Sequence, residues 1–237
     1  MTIAEPMNSM PKLPVVSNGK ALAQFFIDHQ ISAHPFFQRT DNKNIGYVSV
    51  IMENGRGLDI TAFLAHLISI SDNLEVRCKL VPQLYDELGG GKSENIHVKL
   101  IGRYLNAVNP YCKINAEDLP ALEAAYDDLG KIYDRLFKTN HPYKALGVAV
   151  ANELVVQPIF DYIKDITLNS EIKFNAQDLI WITSHNELEE GHVQDSFELA
   201  ELIPNERENL DAAMHAAYEL FAGIWAFFDT VNNIKLQ

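Results

Sequence analysis

The chain of 237 residues is long enough to bury a sizeable core in one domain, and 47% hydrophobic with 22% charged residues is the balance of an ordinary globular protein. A formal net charge of −13 argues against nucleic acid or an anionic membrane as partner, because both select basic surfaces. Two cysteines, Cys78 and Cys112, form neither a disulfide framework nor a Cys-x-x-Cys pair, which points to a reducing, cytoplasmic setting.

Residues 1–18 are rich in Pro and Met and lack both a basic start and a long apolar run, so they read as a flexible arm rather than a signal peptide. Residues 19–237 read as a single all-α domain. Helical periodicity begins near Lys20 and runs to about Gln30; Pro35 then marks a break. Tyr47 to Glu53 reads as helix, although its β-branched residues also suit a strand. Leu58 to Ser71 is an apolar-striped run. Asp72-Asn73-Leu74-Glu75 has the form of a capping box and opens the helix carrying Glu87. A further helix is expected from about Glu94 to Asn106. Asn115 to Asp118 precede a long helix ending near Phe137, and Asn140-His141-Pro142 start the helix carrying Glu153, with a kink expected at Pro158. Asn175 to Asp178 precede the helix with His185, Glu189 and His192; Asn205 to Glu208 precede the last helix, through about Val231. No alternating strands with hairpin turns appear, and no repeat or linker. The expectation is a bundle of about seven to nine helices. No apolar segment reaches the ~18 residues that a membrane-spanning helix needs.

Chemistry concentrates in a few residues. His185, Glu189 and His192 are spaced four and three apart, offsets that share one helical face. A solvated helix face has no need of two imidazoles and a carboxylate in one stripe, whereas a metal site does. Glu153 interrupts an otherwise apolar helix, where a carboxylate is costly to bury unless paired. Glu53, Glu87 and His97 complete a set of three histidines and four carboxylates, enough for two metal ions. Carboxylates bridge and neutralise hard cations and imidazoles suit iron, so dinuclear iron or manganese is the chemistry such a set serves. Glu94, three residues before His97, competes with Glu87 for a place in it. The bland alternatives are a satisfied core histidine for His97 and a solvated helix end for Glu53 and Glu87. Gly89-Gly90-Gly91 argues for a break between Glu87 and His97, since each Gly costs a helix ~1 kcal/mol relative to Ala. His29, His34, His66, His141 and His215 have no partner at ligand spacing and read as structural. Trp181, Phe63, Phe160, Phe221, Trp225, Phe227 and Phe228 read mainly as core, with a few available to line an apolar pocket.

On Asp86-Glu87-x-Gly89, His97, the lone Glu153 and His185-x3-Glu189-x2-His192, the chain resembles the haem-oxygenase-like dimetal oxidases. Glu53 to Glu87 spans 34 residues and Glu153 to His185 spans 32, which fits that family. The resemblance covers roughly His34 to Ala200. It departs at Glu189, where the family usually has Asp. The resemblance implies two Fe(II) ions, dioxygen as co-substrate and, as an option, an external reductant. It implies oxidation of an amino acid or similar small carboxylate in specialised metabolism, with conversion of a tryptophan derivative to a nitrile as one version. The same fold also carries metal-free thiaminase-like hydrolases, which would need Cys78 or Cys112 as nucleophile, and binding or interaction proteins. The apolar last helix suits internal packing or a dimer face, and a homodimer is the expected assembly.

Overall fold

Helices begin where a side chain can accept the first unpaired amides. The computed structural model describes the backbone of residues 9–237, and the side chains of these residues except 184–192. Asn18 accepts from the Ala21 amide at 2.8 Å and opens α1, Gly19–Asp28. His34 accepts from the Phe36 amide and opens the four-residue α2, Pro35–Gln38. Asn44 opens α3, Ile45–Arg56, and Asp59 opens α4, Ile60–Ile70. α5, Leu74–Glu87, is capped by Asn73 accepting from the Glu75 amide, one residue later than the expected Asp72. α6 is His97–Val108, α7 Leu119–Phe137, α8 Pro142–Leu168, α9 Ile180–Glu201 and α10 Arg207–Asn233. Short 3₁₀ turns occupy Ile31–Ala33, Ser93–Asn95 and Asn109–Tyr111.

The result is an all-α bundle with ten α-helices and no strand among the described residues. The helix beyond the expected number is α2. By sequence Pro35 marks a break, but proline with its fixed φ is well suited to a first helical turn, and here it starts one. Tyr47 to Ile51, the ambiguous stretch, lie inside α3. The helix expected from Glu94 starts instead at His97, because three glycines and a 3₁₀ turn occupy the interval. Pro158 lies within an α8 that runs on to Leu168.

The core sits where α8 crosses α10, with α7 and α9 alongside. α8 presents Ala145, Gly147, Ala149 and Ala151, and α10 presents Ala213, Ala216 and Ala217, all buried. These small residues let the two backbones approach closely: a Cβ on Gly147 would lie 2.3 Å from the Ala213 carbonyl oxygen. Larger residues fill the flanks, and an aromatic cluster of Phe26, Phe36, Phe221, Trp225 and Phe228 joins α1 and α2 to α10. Each such side chain stabilises the fold by about 1.5–3 kcal/mol on burial. By length and composition α8 would span a bilayer, against the expectation that no apolar segment is long enough, but 67% of its most apolar window is buried within the bundle. Of the N-terminal arm, Val16 is buried and the Pro11 carbonyl accepts a hydrogen bond from Tyr218 on α10 at 2.7 Å; residues 1–8 lie outside the described residues.

Candidate metal centre

α5 ends at Glu87 and α6 begins at His97, and the chain between them turns tightly enough to bring the two side chains together. Gly89, Gly90 and Gly91 all have φ between 63° and 79°. L-residues rarely adopt that conformation, whereas glycine adopts it without steric cost. At Gly89 the demand is doubled, because a Cβ would also lie 2.5 Å from the Asn95 carbonyl carbon. The Tyr85 hydroxyl closes the turn by donating to the Gly90 carbonyl at 2.7 Å. As a result, Glu87 Oε2 lies 3.0 Å from His97 Nδ1, with both side chains largely shielded from solvent. Glu94 sits exposed on the 3₁₀ turn before α6, so of the two competing carboxylates it is Glu87 that meets His97.

Glu153 lines the same cavity as Glu87 and His97 from the middle of α8. Its Oε1 accepts a hydrogen bond from Gln83 Nε2 at 2.8 Å, which ties α8 to α5. Gln83 lies one helical turn before Glu87, so one face of α5 supplies both the carboxylate and the amide. Sequence reading missed Gln83, since an uncharged amide carries no metal signal; its i, i+4 spacing to Glu87 was the available clue.

Glu87, His97 and Glu153 all line one cavity of about 510 Å³. Its walls are mostly apolar and aromatic, with Met52, Ile101, Phe160, Trp181, Phe227 and Phe228 prominent. The Phe160 and Trp181 rings meet edge to face at 4.8 Å between centroids. Thus four of the aromatic residues singled out in the sequence face the cavity, while Phe221 and Trp225 are core. A volume of this size suits a small molecule of amino-acid dimensions.

Glu53 is placed apart from the other three. It accepts from Asn109 Nδ2 at 3.2 Å and pairs with Arg56 at 3.3 Å. Asn109 in turn accepts from Ser49 at 2.7 Å, so Glu53 belongs to a polar tie between α3 and the end of α6. It lines a neighbouring cavity of about 700 Å³, which shares Asn54, Gly57, Leu58, Asp59, Tyr133 and Phe137 with the first as a common wall. Glu53 thus lines this neighbouring cavity, and the cavity of Glu87, His97 and Glu153 is lined by the residues on either side of it, Met52 and Asn54. His185, Glu189 and His192 fall on α9, but their side chains lie outside the described residues. Among the described residues no three His, Cys, Asp or Glu side chains are gathered as a metal cage.

The remaining histidines have local partners. His34 is fully buried, accepts from the Phe36 amide at Nδ1 and reaches Asp229 from Nε2 at 3.1 Å. Burial pushes its pKa below the usual imidazole range, with Asp229 opposing that shift. His66 meets the Thr139 carbonyl, His29 the Phe25 carbonyl and His215 the Asp211 carbonyl. Cys112 is partly buried, and its thiol is pushed upward in pKa by desolvation. Cys78 is exposed, and neither cysteine lines either cavity.

The oxygen and nitrogen donors gathered on α5, α6 and α8 are those that suit iron. No curated protein matches the chain significantly. Residues 56–223, however, match the profile of a haem-oxygenase-like family described as iron-containing redox enzymes, a span that includes Glu87, His97, Glu153 and α9 and begins just after Glu53. The helical bundle and that match together establish that the chain belongs to this family of iron-containing redox enzymes.

Proposed function

We propose that the protein is a non-haem di-iron oxidase that uses dioxygen to oxidise an amino acid or a similar small carboxylate. The observation that carries this reading is the convergence of Glu87, His97 and Glu153 on one apolar, aromatic-walled cavity in a chain of an iron-containing redox family. Glu87, His97 and Glu153 would hold the iron, joined by His185, Glu189 and His192 from α9. Iron bound there would supply the electrons that reduce dioxygen, with an external reductant restoring them if the substrate does not. The chain's own residues do the rest. Gln83 fixes the Glu153 carboxylate through its hydrogen bond, and the Glu87 contact fixes the orientation of the His97 ring, as partners of ligands commonly do. Met52, Ile101, Phe160 and Phe227 exclude water from the reacting bond. The aromatic wall that Trp181 and Phe160 give the cavity favours an aromatic amino acid, including a tryptophan derivative passing to a nitrile.

Nothing in the two cavities favours the hydrolase reading, because a thiol raised in pKa and set away from both cavities is poorly placed as a nucleophile. The expected assembly is a homodimer in the cytoplasm, acting on a small molecule without nucleic acid or membrane.

Anaerobic Fe(II) loading followed by metal analysis and oxygen-electrode measurement tests the proposal. The expected result is about two irons per chain and oxygen uptake accelerated by one or more aromatic amino acids. Glu153→Gln and His97→Ala should each lower retained iron or oxygen uptake about tenfold or more. A protein that retains no iron, or variants with undiminished iron and uptake, would remove the basis of the reading.

A further inference from the structure

Arg56 is the one lysine or arginine among the described residues lining the Glu87–His97–Glu153 cavity. It is the last residue of α3, and Gly55 and Gly57 stand on either side. A Cβ on either glycine would meet nothing within 4 Å, so the space around this corner is open. The guanidinium is about half exposed and is joined to Glu53 by a single contact, Nη1 to Oε1 at 3.3 Å. An exposed pair of this kind exchanges readily with other partners. Glu53 has a second hold, the hydrogen bond from Asn109, so it keeps a partner when Arg56 turns away.

We propose that Arg56 is the substrate-specificity residue of this cavity, leaving Glu53 to bind the carboxylate of an apolar or aromatic monoanion. This rests on the reading of the cavity as the substrate site. The physical case is one of charge and geometry. The protein carries a net charge of −13, and Asp59, which is not among the residues that would hold iron, lines the same cavity as Arg56. An anion approaching meets repulsion from both, and a cation at the cavity lining favours its entry. A guanidinium offers a planar pair of N–H donors that matches a carboxylate in two parallel hydrogen bonds. A single guanidinium suits one negative charge and not a phosphate, which would call for more donors. The apolar walls then take the body of the substrate.

The test compares 3-phenylpropionate with its neutral amide by isothermal titration calorimetry, under nitrogen, on protein treated with Fe(II). Wild type should bind the acid about tenfold more tightly than the amide. Arg56→Gln should abolish that preference by weakening the acid alone, and Arg56→Lys should restore part of it, because a point charge replaces the fork. An unchanged thermal midpoint in Arg56→Gln shows that the fold is intact. Equal binding of acid and amide by wild type, or an acid preference that survives in Arg56→Gln, overturns the proposal, and so does failure of wild type to bind the acid at millimolar concentration. The second of these results would mean that the carboxylate is held elsewhere, for example by iron. The measurement requires no turnover, so a protein that binds acid through Arg56 yet takes up no oxygen would defeat the oxidase reading and leave this one standing.

Discussion

α8 and α10 meet through residues whose side chains have been pared away, while α5 and α6 meet through residues whose backbone has been freed. At the first junction Gly147 is in ordinary helical conformation, and its lack of a Cβ is what allows the Ala213 carbonyl to lie against it. At the second, Gly89 to Gly91 carry positive φ, and their value lies in a conformation other residues avoid. The difference teaches where rigidity and chemistry are kept. The α8–α10 crossing is deep in the core and fixes the height of Glu153. The α5–α6 corner is near the surface, held by Tyr85 and a few backbone hydrogen bonds, and brings Glu87 to His97. One proposed ligand is therefore fixed by the core and two by a turn.

The strongest way to break this comparison is at Gly147. Valine there must displace either the Ala213 backbone or α8 itself, and overpacking of this severity costs about 3 kcal/mol or more. Urea denaturation of Gly147→Val should show a midpoint far below wild type, or the variant should fail to accumulate in soluble form. Wild-type stability would mean that the two helices are free to move apart.

The glycine turn should respond less and more locally. Gly90→Ala adds only the strain of positive φ, about 1 kcal/mol, since its nearest neighbour would be a Tyr85 ring carbon at 3.9 Å. Gly89→Ala adds the same strain and a contact of 2.5 Å with the Asn95 backbone, so about 2–3 kcal/mol is expected. Thermal melts should rank the two in that order. If the turn sets the Glu87–His97 contact, Gly89→Ala should also weaken Fe(II) binding in a competition titration while Gly147→Ala-type changes in the core act mainly on stability. Equal effects of the two turn substitutions would remove the special role given to Gly89.

Much of this architecture was legible beforehand for identifiable reasons. Polar residues ahead of apolar runs placed the starts of α5 and α8 to within a residue, at Asp72-Asn73 and at Asn140-His141, because capping is a local interaction. The glycines made a break after Glu87 legible but left Glu94 in contention with it; the exposed 3₁₀ turn that carries Glu94 decides between them. The hydrogen-bond partners of Glu53 were not readable. Its spacing suited a ligand, but its environment depends on Asn109 and Arg56, which reach it through the packing of α3 on α6. Arg56 and Gln83 were missed for the same reason: an arginine beside a helix end and a glutamine on a helix face look like surface until a fold places a cavity against them.

His34 offers a smaller test of the core side of the comparison. Its imidazole is buried against Trp225 and Phe228, and its pKa is lowered by desolvation. The unfolded chain therefore binds a proton near the ordinary value of 6.5 while the folded protein still resists it. Stability is fully present above pH 6.5 and falls as the pH drops from there through the folded pKa. Melting temperatures measured between about pH 7.5 and pH 5 should decline. A His34→Gln variant, already less stable, should show a shallower decline; an identical slope in the two proteins would assign the effect to other groups.

The smallest effect is expected at Tyr104, where a polar contact rather than packing joins α6 to α8. The ring is fully buried and its hydroxyl meets Thr167, whose own hydroxyl donates to the Ile163 carbonyl at 2.6 Å. Tyr104→Phe removes one buried oxygen and keeps the ring against Trp181, 5.7 Å away between centroids. Thr167 keeps its bond to Ile163, so no donor is stranded, and the loss should be near the net value of a single hydrogen bond, about 1 kcal/mol. Because α6 carries His97 at its first turn and α8 carries Glu153, a loosened tie would also show in the slow exchange of α6 amides. A stability change well above that of one hydrogen bond would mean that the α6–α8 contact, and with it the wall of the cavity, depends on this polar link more than on the aromatic packing around it.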